Sequence, residues 1–517
     1  MQHLSTSSFI LLDLSWFLAI LSVSLFSFKK VRPSIIALTF ASFLIGYFFA
    51  GIDPFLHLWD EQFHALASKN LAKHWLKPTL FETPILDYDY RAWYGNHIWL
   101  HKQPLFLWQM ALSQSIFGNT LIGIRFPDIV LHSILTLLIF DLGRMIKNDR
   151  VGFLAALFFT FLNYPLELLS GRMGLDHNDF SFMFYIGASF WAYFKYKQFL
   201  KIKWVVAVGV FAGCAVLVKW LPGLLIFLCW FCVDLINRIK TPNIYLGLKP
   251  ILISICASIL VFLPWQIFFW IKYPAEFTYE TLYSGRHFAE AIEGHVGDWT
   301  YHFKELSKLY GEGPLVPYIL LAALVFFIFD RKVSRENRIF TLTGVAFVYT
   351  FFTVAQTKMT AFPVIVLPLV LIILSNFIVE VMEKIRYSLA FKVCYATAGI
   401  LIAFLFFDLN LVLKVHTVSY LPNESKERQV NIKQMELINF INQSINQSSR
   451  KDKTVIFSSE LLNIKIMFFT GITAYGFTPS LKNIKFLRGK GYSIVTAGLN
   501  YLPNYIKQDS CIIKIER

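Results

Sequence analysis

Residues 250–271 read PILISICASILVFLPWQIFFWI and contain no charged side chain, while Lys249 and Lys272 stand directly at the two ends. About 20 apolar residues are enough for a helix to cross a hydrocarbon core roughly 30 Å thick. Similar blocks recur along most of the 517-residue chain, in which 56% of the residues are hydrophobic and 16% are charged. Soluble domains have about 25% charged residues. The sequence therefore predicts an integral membrane protein.

About twelve such blocks predict an all-α, polytopic membrane domain over residues 1–413. The first block has neither the positive leading segment nor the small-residue cleavage site of a signal peptide, so we expect a retained helix. The predicted spans lie near residues 9–28, 33–52, 122–146, 151–169, 179–197, 203–218, 221–238, 249–272, 314–329, 338–357, 361–383 and 388–413.

The net charge of +15 would also suit a nucleic-acid-binding protein, but Lys and Arg mostly form short clusters in every second connection between the apolar blocks. Cytoplasmic connections carry such clusters, which also contact anionic lipid head groups. We therefore predict membrane lipids as partners, no nucleic acid, and both termini on the outer face. The clusters are Lys29/Lys30/Arg32, Arg144/Lys147/Arg150, Lys195/Lys197/Lys201/Lys203, Arg238/Lys240/Lys249, Arg331/Lys332/Arg335/Arg338 and Lys384/Arg386/Lys392.

One apolar block, PLFLWQMALSQSIFG at 104–118, is short for a membrane span. A crossing here would move every later basic cluster to the outside, against the usual charge distribution. We therefore predict a helix at the outer interface. Together with aromatic, mixed-charge runs such as WDEQFH at 59–64, it belongs to a first outer loop, residues 53–121, built from interfacial helices.

Two further segments are predicted on the outer face. Residues 273–313 form a second large outer loop. Residues 414–517 alternate between helical patterns and short apolar runs, which predicts a small extracytoplasmic α/β domain with a structural or docking role. Its predicted helices are residues 429–447 and 459–470, and its predicted strands are residues 454–458, 492–496 and 511–515.

The ionisable residues near the apolar blocks favour an outward-facing site. A transport pathway places such residues near the midplane of the membrane, whereas here they lie in outward loops or at the outward ends of helices. Cations at this level can bind a phosphate, and neighbouring carboxylates can act as general base or metal ligand. These residues are Asp60, Glu61, Lys102, Arg125, Arg172, Asp176, Asp179, Lys219, Arg286 and Lys358.

An ordered set of short motifs over roughly residues 33–385 resembles the GT-C superfamily of glycosyltransferases. Within it, the chain is most similar to the bacterial branch containing protein O-mannosyltransferases and lipid A aminoarabinose transferases. The matching segments are WDEQFHALA at 59–67, HKQPLF at 101–106, Arg125-Phe126-Pro127, RMGLD at 172–176, Val218-Lys219, and Thr357-Lys358 followed by Pro363 and Pro368.

The resemblance implies roles for individual residues. Asp60 corresponds to the aspartate beside the acceptor nucleophile, Glu61 assists it or binds a metal, and Asp176 lines the acceptor pocket or orients Arg172. The alternative for Asp60 and Glu61 is a structural role as a solvated cap of the helix. The implied ligands of the donor phosphate are Lys102, Arg125, Arg172, Lys219, Arg286 and Lys358.

A divalent metal ion is the one cofactor candidate. His97 and His101 are four residues apart, so a helix would place both on one face, and Glu61 could complete such a site. Contact with lipid head groups is the alternative role of the two histidines. For Lys219, the alternative is a side chain that reaches the head groups without binding substrate.

The leading hypothesis is an integral membrane glycosyltransferase of the bacterial inner membrane, with its active site on the outer face. It would transfer a sugar from a polyprenyl-phosphate donor to an extracytoplasmic lipid, glycan or protein hydroxyl. The alternative is a lipid or glycan transporter of the envelope, for which a repeated half would be typical. A third hypothesis is a non-catalytic scaffold that presents the tail domain.

Overall fold

The computed structural model describes residues 6–172, 177–238, 244–311, 313–384, 422–446, 453–499 and 501–515. The chain divides into two compact units, which are described separately below. The first unit consists of Met1–Ala50 and Asp128–Val412, and the second of Gly51–Pro127 and Leu413–Arg517. The predicted span 388–413 lies outside the described residues.

Helices make up most of the described chain. In chain order they are α1 (Thr6–Ser27), α2 (Val31–Ala50), α3 (Asp60–Lys73), α4 (Pro104–Phe117), α5 (Leu121–Ile146), α6 (Asp149–Phe161), α7 (Asn163–Leu169), α8 (Asp179–Phe199), α9 (Ile202–Lys219), α10 (Leu225–Arg238), α11 (Ile244–Lys272), α12 (Pro274–Ala289), α13 (Tyr301–Lys304), α14 (Leu306–Tyr310), α15 (Val316–Phe329), α16 (Arg335–Val354), α17 (Leu367–Lys384), α18 (Pro422–Asn446), α19 (Leu462–Thr470), α20 (Leu481–Gly489) and α21 (Asn504–Lys507).

The mostly helical fold agrees with the prediction, and each predicted span within the described residues coincides with helical structure. Six of the described helices are long and apolar enough to cross a membrane, or seven if the bent pair α6–α7 is one span. The helix axis bends by 53° between α6 and α7. Pro165 lies in the first turn of α7, where its missing N–H is tolerated, but it could not continue α6 unbroken. The count of twelve spans stays a prediction.

In the first unit, α9 packs closely against α11 because two glycines face that helix. A side chain at Gly209 would overlap the carbonyl oxygen of Ser254, and a Cβ at Gly213 would lie 2.7 Å from the carbonyl oxygen of Ser258. Two small residues four positions apart permit this kind of approach between membrane helices. The close packing fixes α9, at whose end Lys219 lies.

The second unit combines the first predicted outer loop with the tail. Its α4 has 14 residues and is therefore only about 21 Å long, short of the roughly 30 Å membrane core. The predicted α/β tail is confirmed as a four-stranded parallel sheet in the order β2-β1-β3-β4. The strands are β1 (Thr454–Ser458), β2 (Ala474–Tyr475), β3 (Ser493–Ala497) and β4 (Ile512–Ile515).

Specific hydrogen bonds join the loop to the tail within this unit. Lys69 of α3 donates through Nζ to the carbonyl oxygens of Met467 and Phe468, at 2.9 and 2.6 Å, near the end of α19. The Met467 carbonyl also accepts the backbone N–H of Gly471. The lysine thus adds a charged donor at the negative end of the helix dipole. The hydroxyl of Tyr475 accepts hydrogen bonds from the backbone N–H groups of Ile85 and Leu86. The α/β domain thus supports the loop that carries Asp60. A domain boundary at residue 414 stays a prediction.

Candidate functional site

Asp60 and Lys102 form an ion pair in the second unit. Asp60 is the first residue of α3, where the helix dipole stabilises a negative charge. Lys102 precedes α4, which packs against α3, and its Nζ lies 2.9 Å from Asp60 Oδ2. The two side chains are 10% and 20% exposed. Within the described part of the chain, Asp60 Oδ1 accepts no hydrogen bond. One carboxylate oxygen thus remains available to a ligand.

Glu61 and Arg125 form a second pair beside the first, and both side chains are fully buried. Arg125 Nε lies 2.7 Å from Glu61 Oε1, and Nη2 lies 3.2 Å from Oε2. Arg125 also donates to the carbonyl oxygens of Asp53 and Phe55, at 3.0 and 2.9 Å. The backbone N–H of His57 donates to Glu61 Oε2 at 2.6 Å. This pair holds the segment that leads into α3 and so fixes the position of Asp60.

Asp53 is a member of this arrangement that the sequence reasoning missed. Its carboxylate is 3% exposed, with Oδ2 3.3 Å from His57 Nε2 and Oδ1 3.2 Å from Arg428 Nε. Arg428 lies 375 residues away in the chain. No local pattern in the sequence could have indicated this pairing. The one sequence feature that could have indicated Asp53 as a site residue is its position directly after a predicted span.

The first unit has its own ion pair on the outward side predicted from the sequence. Lys219 ends α9, and its Nζ lies 2.7 Å from both carboxylate oxygens of Asp179, the first residue of α8. The same ammonium lies 4.9 Å from the ring centre of Phe362, within cation–π range. Asp179 is 1% exposed and Lys219 is 27% exposed. The lysine can therefore contact a ligand while Asp179 orients it.

The remaining predicted phosphate ligands lie in varied surroundings in the first unit. Arg172 Nη1 is 3.8 Å from Glu167 Oε1, an ion pair longer than a hydrogen bond. Arg286 in the last turn of α12 is 52% exposed and pairs with Glu290, the residue directly after this helix. Lys358 donates to the carbonyl oxygens of Phe352, Thr353 and Ala355 at the end of α16. This geometry makes Lys358 a helix cap. Asp176, the third catalytic candidate, lies outside the described residues.

The metal candidates do not meet in one place. His97 stacks on Tyr88 at 4.0 Å between ring centres, whereas His101 stacks on Trp93 at 4.5 Å. Glu61 is engaged by Arg125. Among the described residues there is no group of three or more His, Cys, Asp or Glu side chains able to hold a metal ion. The three candidates thus form no such group among the described residues. A divalent ion stays a prediction, and no step of the proposed reaction uses one.

Comparisons with known proteins point to one superfamily. The model of the dolichyl-phosphate-mannose-protein mannosyltransferase family matches residues 101–265. The undecaprenyl phosphate-α-4-amino-4-deoxy-L-arabinose arabinosyl transferase 1 of Pseudomonas fluorescens strain Pf-5 is 23% identical over 67% of this chain and 59% of its own. Transferase 2 of strain Pf0-1 is 24% identical over 44% of this chain and 38% of its own. The chain thus spans about half the length of these two relatives.

Solved structures establish the same fold. ArnT from Cupriavidus metallidurans bound to undecaprenyl phosphate has a TM-score of 0.59 at 12% identity, over 88% of both chains. AglB from Archaeoglobus fulgidus, in complex with an inhibitory peptide and a dolichol-phosphate, has a TM-score of 0.57 at 12% identity, over 86% of this chain and 64% of that one. The predicted resemblance to the GT-C glycosyltransferases is confirmed.

Proposed function

We propose that the chain is an integral membrane glycosyltransferase that transfers a sugar from a polyprenyl-phosphate donor to a hydroxyl group on an extracytoplasmic acceptor. The two Pseudomonas relatives are named as transferases of an undecaprenyl phosphate-linked sugar. Two structures with the same fold contain undecaprenyl phosphate or a dolichol-phosphate. These findings support the donor class. The proposed location of the active site on the outer face implies an extracytoplasmic acceptor, which can be a lipid, a glycan or a protein.

The observation that carries the proposal is the Asp60–Lys102 pair. A carboxylate and an ammonium 2.9 Å apart, both partly exposed, offer the two functions that the reaction requires. The carboxylate can accept a proton, and the ammonium can bind a phosphate as a point charge. A donor phosphate that engages Lys102 competes with Asp60 for the ammonium. Binding of the donor would therefore release the carboxylate for its role as base.

The proposed reaction balances without a cofactor. The acceptor oxygen forms a bond to the anomeric carbon of the sugar as the bond from that carbon to the phosphate oxygen breaks. The electron pair of the broken bond goes to the phosphate, which leaves as polyprenyl phosphate beside Lys102. The acceptor proton goes to Asp60, which later returns it to water. Negative charge on Asp60 also stabilises the positive charge that develops on the sugar ring.

Glu61 and Arg125 act in this proposal as positioning residues. A bidentate, fully buried pair has fixed geometry and leaves neither side chain exposed to a substrate. Its contacts to the segment before α3 hold Asp60 at the beginning of the helix. A preorganised carboxylate needs no rearrangement at the moment of reaction, which is the main source of electrostatic catalysis.

Lys219 remains a candidate for the donor phosphate. We expect Lys219→Met to weaken binding of a polyprenyl-phosphate sugar about tenfold or more, because one charge-assisted contact contributes roughly 1.5–3 kcal/mol. Affinity can be measured by titrating the purified protein with a fluorescent donor analogue. Lys197→Met is the matched control, because Lys197 pairs with Glu336 at 3.0 Å in the last turn of α8. Equal donor affinity in both variants would remove Lys219 from the phosphate site.

The outer-face location requires that α4 does not cross the membrane. Single cysteines at Thr83 and Asn119, before and after α4, are then both expected to react with a membrane-impermeant maleimide added to spheroplasts. A cysteine at Arg150, in a predicted cytoplasmic connection, should stay unlabelled. All six native cysteines must first be replaced by Ser. Labelling of only one of the two sites beside α4 would contradict the proposed topology.

A further inference from the structure

Two helices of the tail, α20 and α21, lie on the face of the sheet opposite to α19. In the strand order β2-β1-β3-β4, α19 leads from β1 to β2, whereas α20 and α21 lead in the other direction, from β2 to β3 and from β3 to β4. Right-handed crossovers place connections of opposite direction on opposite faces of a parallel sheet. The Tyr505 hydroxyl of α21 accordingly donates to the carbonyl oxygen of Pro479, just before α20, at 3.0 Å. Because α3 packs against α19 through Lys69, the α20–α21 face (residues 481–490 and 501–507) is turned away from α3.

The α20–α21 face is strongly basic. Residues 478–507 contain five Lys and Arg residues and no Asp or Glu. Among the described residues, neither Lys482 nor Lys485 has an ion-pair partner, whereas Arg488 pairs with Asp509 at 2.6 Å. Most of the positive charge on this face is therefore not neutralised within the described part of the unit. The five cations, all exposed, are Lys482, Lys485, Arg488, Lys490 and Lys507.

Three of these cations form a row along α20. Lys482, Lys485 and Arg488 are each three residues apart, so they are neighbours on the helix surface and span about 9 Å along its axis. Lys453 extends the row beyond the helix, since a Cβ at Gly491 would lie 4.0 Å from its Nζ. The helix dipole favours cations in the last turn but disfavours Lys482 in the first. Helix stability therefore does not explain the row, whereas a ligand with several negative charges in line does.

Exposed aromatic rings lie among these cations. The Nζ of Lys490 is 4.5 Å from the ring centre of Phe486, and the Nζ of Lys507 is 5.5 Å from the ring centre of Tyr501. Phe486 is 42% exposed and Tyr501 is 67% exposed. An aromatic ring can pack against the apolar face of a sugar, and a lysine beside it can pair with an acidic group of the same sugar. The combination of ring and cation therefore suits an acidic sugar.

An anionic lipid surface would also attract this face, but α20 lacks the continuous apolar side of a helix that lies in the membrane interface. Its apolar residues Ile484 and Leu487 are buried, and the helix packs against β3. The exposed ring of Phe486 lies beneath the ammonium of Lys490. Of the large apolar side chains of α20, this leaves Leu481 to enter a bilayer. The composition of the face thus favours a glycan over a membrane.

We propose that the α20–α21 face binds an anionic polysaccharide, a linear glycan that carries an acidic group on successive sugar units. The row of cations pairs with the acidic groups, and Phe486 and Tyr501 pack against the faces of the sugar rings. Because several contacts act together, a chain binds more tightly than a single sugar. The tail thereby docks the protein onto an extracytoplasmic glycan. This role is separate from sugar transfer and does not depend on the proposed reaction.

The test measures binding of a fluorescent oligogalacturonate decamer, which has a carboxylate on every sugar, to the full-length protein in phosphatidylcholine nanodiscs. Fluorescence anisotropy gives the affinity. We expect the decamer to bind at least about tenfold more tightly than the galacturonate monomer. Its affinity should fall as the salt concentration rises, since salt screens exposed charges. Maltodecaose, which has the same length but no charge, should not displace it.

Variants of the face test the contacts themselves. Lys482→Gln, Lys485→Gln and Lys490→Gln combined should weaken binding of the decamer about tenfold or more, because the modest contributions of three exposed ionic contacts add up. Tyr501→Ser should weaken it about threefold, because one ring contact is lost. The matched control replaces three exposed lysines of the first unit by Gln, namely Lys201, Lys304 and Lys308. This control removes the same charge and should keep the affinity of the wild type.

Unchanged affinity in the triple variant of the face, an equal loss in the control variant, or displacement of the decamer by maltodecaose would each overturn the proposal. Vesicles of phosphatidylglycerol, added at an equal concentration of charge, should not displace the decamer either. Displacement by these vesicles would make a lipid surface the partner and would also overturn the proposal. The readout is independent of sugar transfer, so its failure leaves the proposed reaction untouched.

Discussion

Asp60→Asn is expected to lower the turnover of sugar transfer by at least about 100-fold, because a general base typically contributes about 10²–10⁴-fold. The asparagine keeps the size of the side chain and can still accept a hydrogen bond from Lys102, but it cannot take a proton. Donor affinity should stay the same or increase, because Lys102 loses a competing carboxylate at 2.9 Å. A loss of turnover without a loss of binding is typical of a group that acts at the transition state.

Turnover is measured as release of polyprenyl phosphate under saturating donor, and donor affinity by titration with the fluorescent analogue. Asp509→Asn provides a control for removal of an acidic side chain elsewhere in the second unit. Near-normal turnover in a well-folded Asp60→Asn variant would exclude Asp60 as the base. Asp176, the third catalytic candidate predicted from the sequence, would then be the next residue to test.

Arg125→Met is expected to destabilise the protein by about 3–5 kcal/mol, because it leaves the fully buried Glu61 carboxylate without its partner. The change also removes the donors to the carbonyl oxygens of Asp53 and Phe55. The measurement is thermal unfolding of the purified protein, which should show a clearly lower midpoint. Glu61→Gln combined with Arg125→Met should lose less stability than the single change, since no buried charge is left unpaired.

Arg286→Met is the matched control for this prediction. Arg286 and Glu290 form an Arg–Glu pair of similar length, but both side chains are about half exposed. Exposed pairs contribute about 0–1 kcal/mol, so the midpoint should hardly move. Equal shifts in the two variants would show that burial of the Glu61–Arg125 pair does not matter for stability.

The helical framework could be predicted because the length and composition of each apolar block decide whether it can form a membrane helix. The strands at Thr454–Ser458, Ser493–Ala497 and Ile512–Ile515 were predicted within one residue for a similar reason, since each is a short apolar run. The strand Ala474–Tyr475 was missed, because two residues are too few to form a pattern.

The pairing of charges could not be predicted, because partners that meet in space lie far apart in the chain. The sequence placed Glu61 and Arg125 in the same site, but their separation of 64 residues gave no sign that they bury each other. Lys219 was predicted to bind an anion, the donor phosphate. Asp179, 40 residues earlier, supplies one within the protein itself. Whether a lysine has a structural role or binds a ligand therefore depends on how exposed its side chain is. This exposure can be read only from the folded structure.

The most direct test of the proposed function is incubation of the purified protein with a panel of radiolabelled polyprenyl-phosphate sugars and with extracts of envelope lipid, glycan and protein as acceptors. We expect at least one donor to yield free polyprenyl phosphate and a labelled acceptor, and Asp60→Asn to abolish both products under the same conditions. Passage of an intact labelled donor across a proteoliposome membrane, with no release of the carrier from any donor and acceptor pair, would contradict the account.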